Sequence, residues 1–367
     1  MSTEKMPLSS WLQRIPGWLV AVLMVLLLSS WFAPGGQQIH QQQLDFWLAW
    51  LGCMLLLAWP MTLLELALAR RSQNSPLAAF GPLTREADSK PVWRGIGYLA
   101  VAAMAFFAGG LTHQAAVYGH ALMPQLALLP MALATLGGTL LLSLWPATLV
   151  WVGVLLAVMA VGLSSFAQGI GHWSMTAFSL VEWSQAVILA LVASGLGLGL
   201  YWQTALSQPQ ASKASQQALP IWTAQLAAGG AFAVAQGIQG TLATGLYAAA
   251  LLCGAGYLLA VVRSQWSARG LSPLISWALC GALLALWLLP LAPVWGVLAS
   301  VLGLLVCLFY ALFVGWQMKI SHVRKALAFD QEGVYNLWRV VVRLGVPLSV
   351  LLALVGIVQA VLQQAVR

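Results

Sequence analysis

Residues 182–206 read Glu-Trp-Ser-Gln-Ala-Val-Ile-Leu-Ala-Leu-Val-Ala-Ser-Gly-Leu-Gly-Leu-Gly-Leu-Tyr-Trp-Gln-Thr-Ala-Leu, an apolar run of membrane length interrupted at its centre by Ser194, Gly195, Gly197 and Gly199. Glycine costs about 1 kcal/mol relative to alanine in a helix interior, so three at alternate positions weaken the helix where a bilayer otherwise enforces it. One use of the pattern is a bend or local unwinding. The other is close helix packing, because Gly195 and Gly199 also form a Gly-x-x-x-Gly pair that lets a neighbour approach. Spacing by itself favours packing.

The composition around this run sets the class. Of 367 residues, 61% are hydrophobic and 7% charged, and apolar stretches of about 20 residues recur, the length that crosses a hydrocarbon core. A β-barrel would show short alternating segments, whereas these runs are continuous and rich in Leu, Ala and Val. The expected fold class is therefore an all-α polytopic membrane protein. Cys53, Cys253, Cys280 and Cys307 fall inside apolar runs without paired or metal-ligand spacing and read as small hydrophobes. The first run lacks a small-residue cleavage site and reads as a span rather than a signal peptide. The loop distribution explains the net charge of +8 better than nucleic-acid binding does.

Expected spans lie near 16–34, 44–69, 95–121, 126–144, 147–164, 182–206, 220–238, 241–262, 272–289, 295–316 and 344–364, about eleven in all. With the N-terminus inside, from Lys5 and Arg14 onward, every Lys and Arg falls in a cytoplasmic segment except Arg367. The positive-inside rule thus predicts a multi-pass protein of the plasma membrane, a bacterial inner membrane, with its C-terminus periplasmic or extracellular.

The second span ends Pro60-Met61-Thr62-Leu63-Leu64-Glu65-Leu66-Ala67-Leu68-Ala69-Arg70. This resembles the second-helix signature of the neurotransmitter:sodium symporter family, Pro-x-x-x-x-Glu-x-Ala-x-Gly-Arg, with Ala69 in place of the glycine. Trp183, Gln185 and Ser194-x-x-Gly197-x-Gly199 resemble the family's sixth helix, unwound at its substrate site. Leu337-Trp338-Arg339-Val340-Val341-Val342-Arg343-Leu344-Gly345-Val346-Pro347 is similar to the approach to its eleventh. The resemblance implies one transmembrane domain of two inverted five-helix repeats, about 16–164 and 182–316, plus an extra helix at about 344–364. The family's first and sixth helices are broken around a midplane site. It also raises unwinding of the sixth span above packing.

Four departures bear on mechanism. Where the family's first helix carries a Gly/Asn-rich break, this chain has Val22-Leu23-Met24-Val25-Leu26-Leu27-Leu28-Ser29, then Trp31-Phe32-Ala33-Pro34. A Leu/Val helix has its carbonyls in internal hydrogen bonds and none to give sodium, so this helix is expected to be continuous. The family's hydroxyl pair on the eighth helix falls at about Ala248-Ala249, and its substrate-contacting tyrosine near Gly110-Leu111. No acid occurs between Glu182 and Asp330 to act as its outer gate.

The chain therefore reads as a diverged secondary transporter of a small, amino-acid-like organic solute, not coupled to sodium through the family's usual sites. The alternative is a transport-inactive relic serving as a scaffold or regulatory subunit. Ser194, Gly197, Gly199 and His113 are the candidate substrate contacts, while Glu65 and Gln185 are structural or proton-linked. An ionised carboxylate is costly within a span, so Glu65 should be protonated or paired. Gln203, Gln225, Gln236 and Gln239 suit interhelical hydrogen bonds. Many of the 19 tryptophans, among them Trp18, Trp31, Trp47, Trp93 and Trp183, sit near span ends as interfacial anchors. The basic segment Lys319–Phe329 suits attachment to an anionic leaflet. No phosphate loop, catalytic triad or metal cluster is visible, so no enzyme, cofactor or nucleic-acid partner is expected. Membrane lipid, a small organic solute, and a protein partner or second copy of the chain are the expected contacts.

Overall fold

The computed structural model describes residues 15–32, 43–168, 173–202, 206, 214–235 and 237–366. Expectations at Lys5, Arg14, Ala33, Pro34, Gln203, Gln236 and Arg367 lie outside the described residues. The chain is helical, with one isolated bridge, Gln43 to Ser174, among the described residues. We label the helices α1 (Gly17–Phe32), α2 (Leu44–Ser72), α3 (Pro76–Glu86), α4 (Gly95–Leu122), α5 (Leu128–Leu142), α6 (Pro146–Gln168) and α7 (Leu180–Leu191). After the break come α8 (Ala214–Ala235), α9 (Thr241–Ser267), α10 (Pro273–Ala285), α11 (Ala292–Leu312), α12 (Ile320–Leu327), α13 (Glu332–Val340) and α14 (Val346–Val366).

Among the described residues, seven helices are long and apolar enough to cross a membrane, and four shorter apolar helices accompany them. The seventh expected span starts earlier, at Ala214, because Pro220 is accommodated inside α8 rather than starting it. Proline opens several helices, where its missing N–H costs nothing. Pro76, Pro146 and Pro273 begin α3, α6 and α10. Glu182, the last acid before Asp330, completes a capping box with Ser179: it accepts the Ser179 N–H at 2.6 Å, and its own N–H donates to Ser179 Oγ at 3.2 Å.

Within α2, Pro60 removes one helical donor, and the turn before it, Met54–Ala58, widens into a π turn. Two indoles from distant helices steady this stretch. Trp222 Nε1 donates to the Met54 carbonyl at 2.9 Å, and Trp338 Nε1 to that of Pro60 at 3.1 Å.

α1 lies at the centre, in contact with α4, α6, α7, α8, α9 and α11. Around it, α9 packs against α4 and α6, and α14 against α7. The α14–α7 crossing requires Gly356, because a Cβ there would strike Ser184 Oγ and come within 2.6 Å of the Leu180 carbonyl. That carbonyl belongs to a helix and cannot step aside. Gly356→Ala should therefore destabilise the bundle by about 1–3 kcal/mol, read as a lower midpoint of thermal unfolding in detergent; an unchanged midpoint would refute this account of the crossing.

The basic loops converge on one end of the bundle. Arg70 Nε donates to Gln217 Oε1 at 3.1 Å, Arg71 pairs with Glu86, and His322 Nδ1 lies 2.9 Å from the same carboxylate. Arg269 reaches the Leu77 carbonyl at 2.6 Å and Arg263 the Ser143 hydroxyl at 3.0 Å. At the opposite end, Asp45 accepts from the N–H and hydroxyl of Thr176. The basic segment forms α12, which buries Val323 and Leu327 against α2 and leaves Arg324 and Lys325 exposed.

Candidate functional site: an unwound segment and the helix that fills its cavity

Beyond Leu191 the backbone leaves the α-helix and proceeds as successive turns to Tyr201. Gly195, Gly197 and Gly199 have φ of +72°, +82° and +74°, a region where an L side chain is strained. The alternating glycines thus unwind the helix, and packing as their sole use is overturned. Close approach is retained as well. A Cβ on Gly199 would strike Pro76, and one on Gly197 would come within 3.1 Å of Cys307 Sγ and 3.2 Å of its backbone nitrogen.

Unwinding frees backbone groups, and in a buried segment each needs a partner. The Gly197 N–H donates to Glu65 Oε1 from α2. The Ser194 carbonyl accepts from the Tyr201 hydroxyl and, at 3.4 Å, from Gln225 Nε2 of α8. Cys307 Sγ of α11 donates to the Leu196 carbonyl at 3.3 Å, so this cysteine is more than a small hydrophobe. Ser194, Gly197 and Glu65 are therefore brought together, tied to one another and to their neighbours.

Four fully buried polar atoms close to this segment have no hydrogen-bond partner among the described residues: Glu65 Oε2, Trp202 Nε1, Gln225 Oε1 and the Tyr310 hydroxyl. The Tyr310 ring packs edge-on against Phe80, with centroids 5.3 Å apart, and lies 6.4 Å from that of Trp202.

His113 is elsewhere. Its ring lies on α4 against Trp287, with centroids 5.9 Å apart. Trp287 in turn contacts Trp31 at 5.4 Å and Phe106 at 4.9 Å. Gln185 sits half-buried on α7, more than two turns before Ser194.

The volume between α1, α4, the unwound segment and α9 is occupied by α1 side chains. The helix runs unbroken from Gly17 to Phe32, as its Leu/Val content predicts, and Leu23, Met24 and Leu27 are fully buried. Leu27 projects into the notch left by Gly254 of α9, and Leu23 meets Gly153 of α6. Trp31 covers Gly110 of α4, the position near which the resemblance placed a substrate-binding tyrosine.

The register of α9 corrects one expectation. Ala249 is exposed and Ala248 half-buried; the residues facing α1 are Tyr247 and Gly254. The Tyr247 hydroxyl donates to the Leu26 carbonyl and lies 2.6 Å from Ser30 Oγ. A helical carbonyl on α1 is thereby satisfied by a neighbour's hydroxyl.

No family profile and no curated protein matches the chain. Among solved structures, MhsT in complex with L-phenylalanine matches with a TM-score of 0.65, over 93% of this chain and 98% of that one, at 16% identity. The chain shares the MhsT fold. The symporter-like fold expected from the three motifs is therefore present across nearly the whole length, at an identity where sequence similarity alone is silent.

Within this fold the sequence reading missed Tyr201, Tyr247 and Tyr310. Each is a fully buried tyrosine in a Leu/Ala-rich setting, and a buried phenol must place its hydroxyl somewhere. That was the available signal.

Proposed function

We propose that the protein is a secondary transporter of small organic solutes of the amino-acid class, working without the sodium sites of the first and eighth helices. The carrying observation is the unwound segment 192–201, three left-handed glycines held at the middle of a buried span in a fold shared with a protein solved with L-phenylalanine. Non-helical backbone at membrane depth is tolerated only inside protein or along a cavity, and discontinuous helices are where transporters of this architecture hold their solutes. The sodium clause rests on α1, whose carbonyls are helical and whose Leu26 carbonyl is further engaged by Tyr247.

The placement of basic loops at one end supports an inner-membrane orientation with that end cytoplasmic. The test is uptake of radiolabelled L-phenylalanine and the other proteinogenic amino acids into liposomes containing the purified chain, in sodium and in potassium buffer. Equal uptake in both is expected. Strict dependence on sodium overturns the sodium clause, and no uptake or binding of any of these solutes overturns the transport reading.

A second reading has its own support in the seating of Leu23 and Leu27 against Gly153 and Gly254. A chain closed in this way would serve as a transport-inactive scaffold. It predicts a thermal midpoint indifferent to every solute and a membrane-protein partner that copurifies.

A further inference from the structure

Two spans meet where each departs from regular α-helix. α11 ends in a π turn, Phe313–Gln317, and α14 begins from another, Val341–Gly345, and the two turns are in contact. Such turns occur frequently at functional sites. Arg343 joins them: its Nε donates to the Gly315 carbonyl at 2.5 Å, and its guanidinium lies over the exposed indole of Trp316, 4.8 Å from the ring centroid. Trp316 Nε1 in turn donates to the Arg343 carbonyl at 3.3 Å. The arrangement needs a glycine at 315, because a Cβ there would come within 3.0 Å of Arg343 Cγ and 3.3 Å of its Cα.

A guanidinium fixed at Nε and along one face presents its terminal nitrogens in a set plane. Among the described residues, no acceptor meets them. One turn earlier, Arg339 lines a cleft whose other walls include Val314, Met318, Val323 and Trp338, and it is the one charged residue among the walls described. No ion pair among the described residues includes Arg339 or Arg343. Glu332, the acid that opens α13, is taken by Arg324 at 3.1 Å.

The depth of the site follows from helix length. Glu332–Gln363 is continuously helical over 32 residues. At 1.5 Å per residue that is about 48 Å, against a hydrocarbon core of about 30 Å. With the C-terminal part of the helix in the core, the turn from Arg339 to Arg343 lies at its edge. Leu337, Leu344, Leu348 and Leu351 are exposed at helical spacing and form an apolar stripe that runs from this turn along the bilayer-facing surface.

We propose that Arg343, stacked on Trp316, and Arg339 form a binding site for the phosphodiester of an anionic glycerophospholipid whose acyl chains lie along Leu344, Leu348 and Leu351. A planar guanidinium with preset orientation matches phosphate oxygens in a bidentate manner, and tryptophan favours the headgroup level. The adjoining stripe selects a lipid over a soluble anion. Arg324 and Lys325, exposed on α12, supply only diffuse attraction to the leaflet. The site does not depend on the transport reading.

The test is native mass spectrometry of the full chain after equilibration with mixed micelles of equal parts phosphatidylcholine and phosphatidylglycerol, with the thermal midpoint in each lipid as a second readout. Wild type should retain phosphatidylglycerol preferentially and melt higher in it. Arg339→Gln touches no protein hydrogen bond, so it should keep the wild-type midpoint in phosphatidylcholine while retaining several-fold less phosphatidylglycerol. Arg343→Gln should weaken retention roughly tenfold or more, the worth of a charge-assisted hydrogen bond. Replacing both Arg324 and Lys325 by Gln should leave retention unchanged.

Retention unaltered in Arg339→Gln and Arg343→Gln overturns the proposal, as does a wild type without preference for phosphatidylglycerol. An equal loss on replacing Arg324 and Lys325 overturns it in favour of diffuse leaflet attraction. A thermal shift reproduced by glycerol phosphate alone overturns it in favour of a soluble anion.

Discussion

Replacing Gly197 with alanine should cost about 2–5 kcal/mol of stability, the sum of a left-handed backbone strain of about 1–2 kcal/mol and an overpacking cost of about 1–3 kcal/mol. Both arise at the same atom. With φ at +82°, the new Cβ would be directed at Cys307, whose backbone nitrogen is 3.2 Å away and belongs to the rigid helix α11. Any retreat of α11 would also lengthen the bond from Cys307 Sγ to the Leu196 carbonyl. Gly195→Ala separates the two effects, since its Cβ would meet only Leu200 Cδ1 at 3.2 Å and Met24 atoms at 3.5 Å, leaving mainly the dihedral cost. Gly281→Ala, in a helical site with open space around it, should be neutral or slightly stabilising. The readout is the thermal midpoint in detergent. The ranking Gly197 worst, Gly195 intermediate, Gly281 harmless follows from geometry, and equal midpoints for the first and last would refute the unwound conformation.

Leu27→Ala should destabilise by about 2–5 kcal/mol, and Leu23→Ala by a similar amount, because each removes a fully buried side chain from the packed core. Leu27 has a specific receptor in Gly254, so the partner substitution is informative. Gly254→Ala in the wild-type background forces a Cβ onto Leu27 Cδ1. In the Leu27→Ala background the same methyl occupies vacated volume. The double mutant should therefore be more stable than the sum of the single costs implies, with a coupling of about 0.5–3 kcal/mol in a double-mutant cycle. Additive costs would show that Leu27 does not fill this notch. The same Leu27→Ala protein also distinguishes the two functional readings. A closed scaffold only loses stability, whereas a transporter changes its affinity for solute.

Much of this molecule was legible from residues near one another in sequence. Continuous apolar runs specify spanning helices because the bilayer leaves each N–H no partner but its own helix. The alternation of basic loops placed residues 70–94, 263–271 and 319–343 on one side, and those loops do meet. Pro60 and Glu65 at their spacing, with Ser194-x-x-Gly197-x-Gly199, pointed to the symporter-like fold, and the Leu/Val content of the first span pointed to a helix without a break.

Other features depended on partners far apart in the chain. Whether three alternate glycines pack or unwind depends on whether something satisfies the freed groups. Glu65, Tyr201, Gln225 and Cys307 come from α2, the segment itself, α8 and α11 to do so. That Leu27 finds Gly254, and Trp31 finds Gly110, was equally invisible in hydropathy, which ranks a leucine alike wherever its methyls point. The sharpest limit was rotational. Successive residues of a helix are about 100° apart, so a resemblance that sets the family's hydroxyl pair at about Ala248-Ala249 lands on half-buried and exposed positions, while Tyr247 and Gly254 face α1. Local sequence determined the helices, their order and the place where one of them breaks, because the membrane solvates each residue nearly independently. Tertiary structure decided what fills the space between them, because shape complementarity and buried hydrogen bonds exist only once the helices have met.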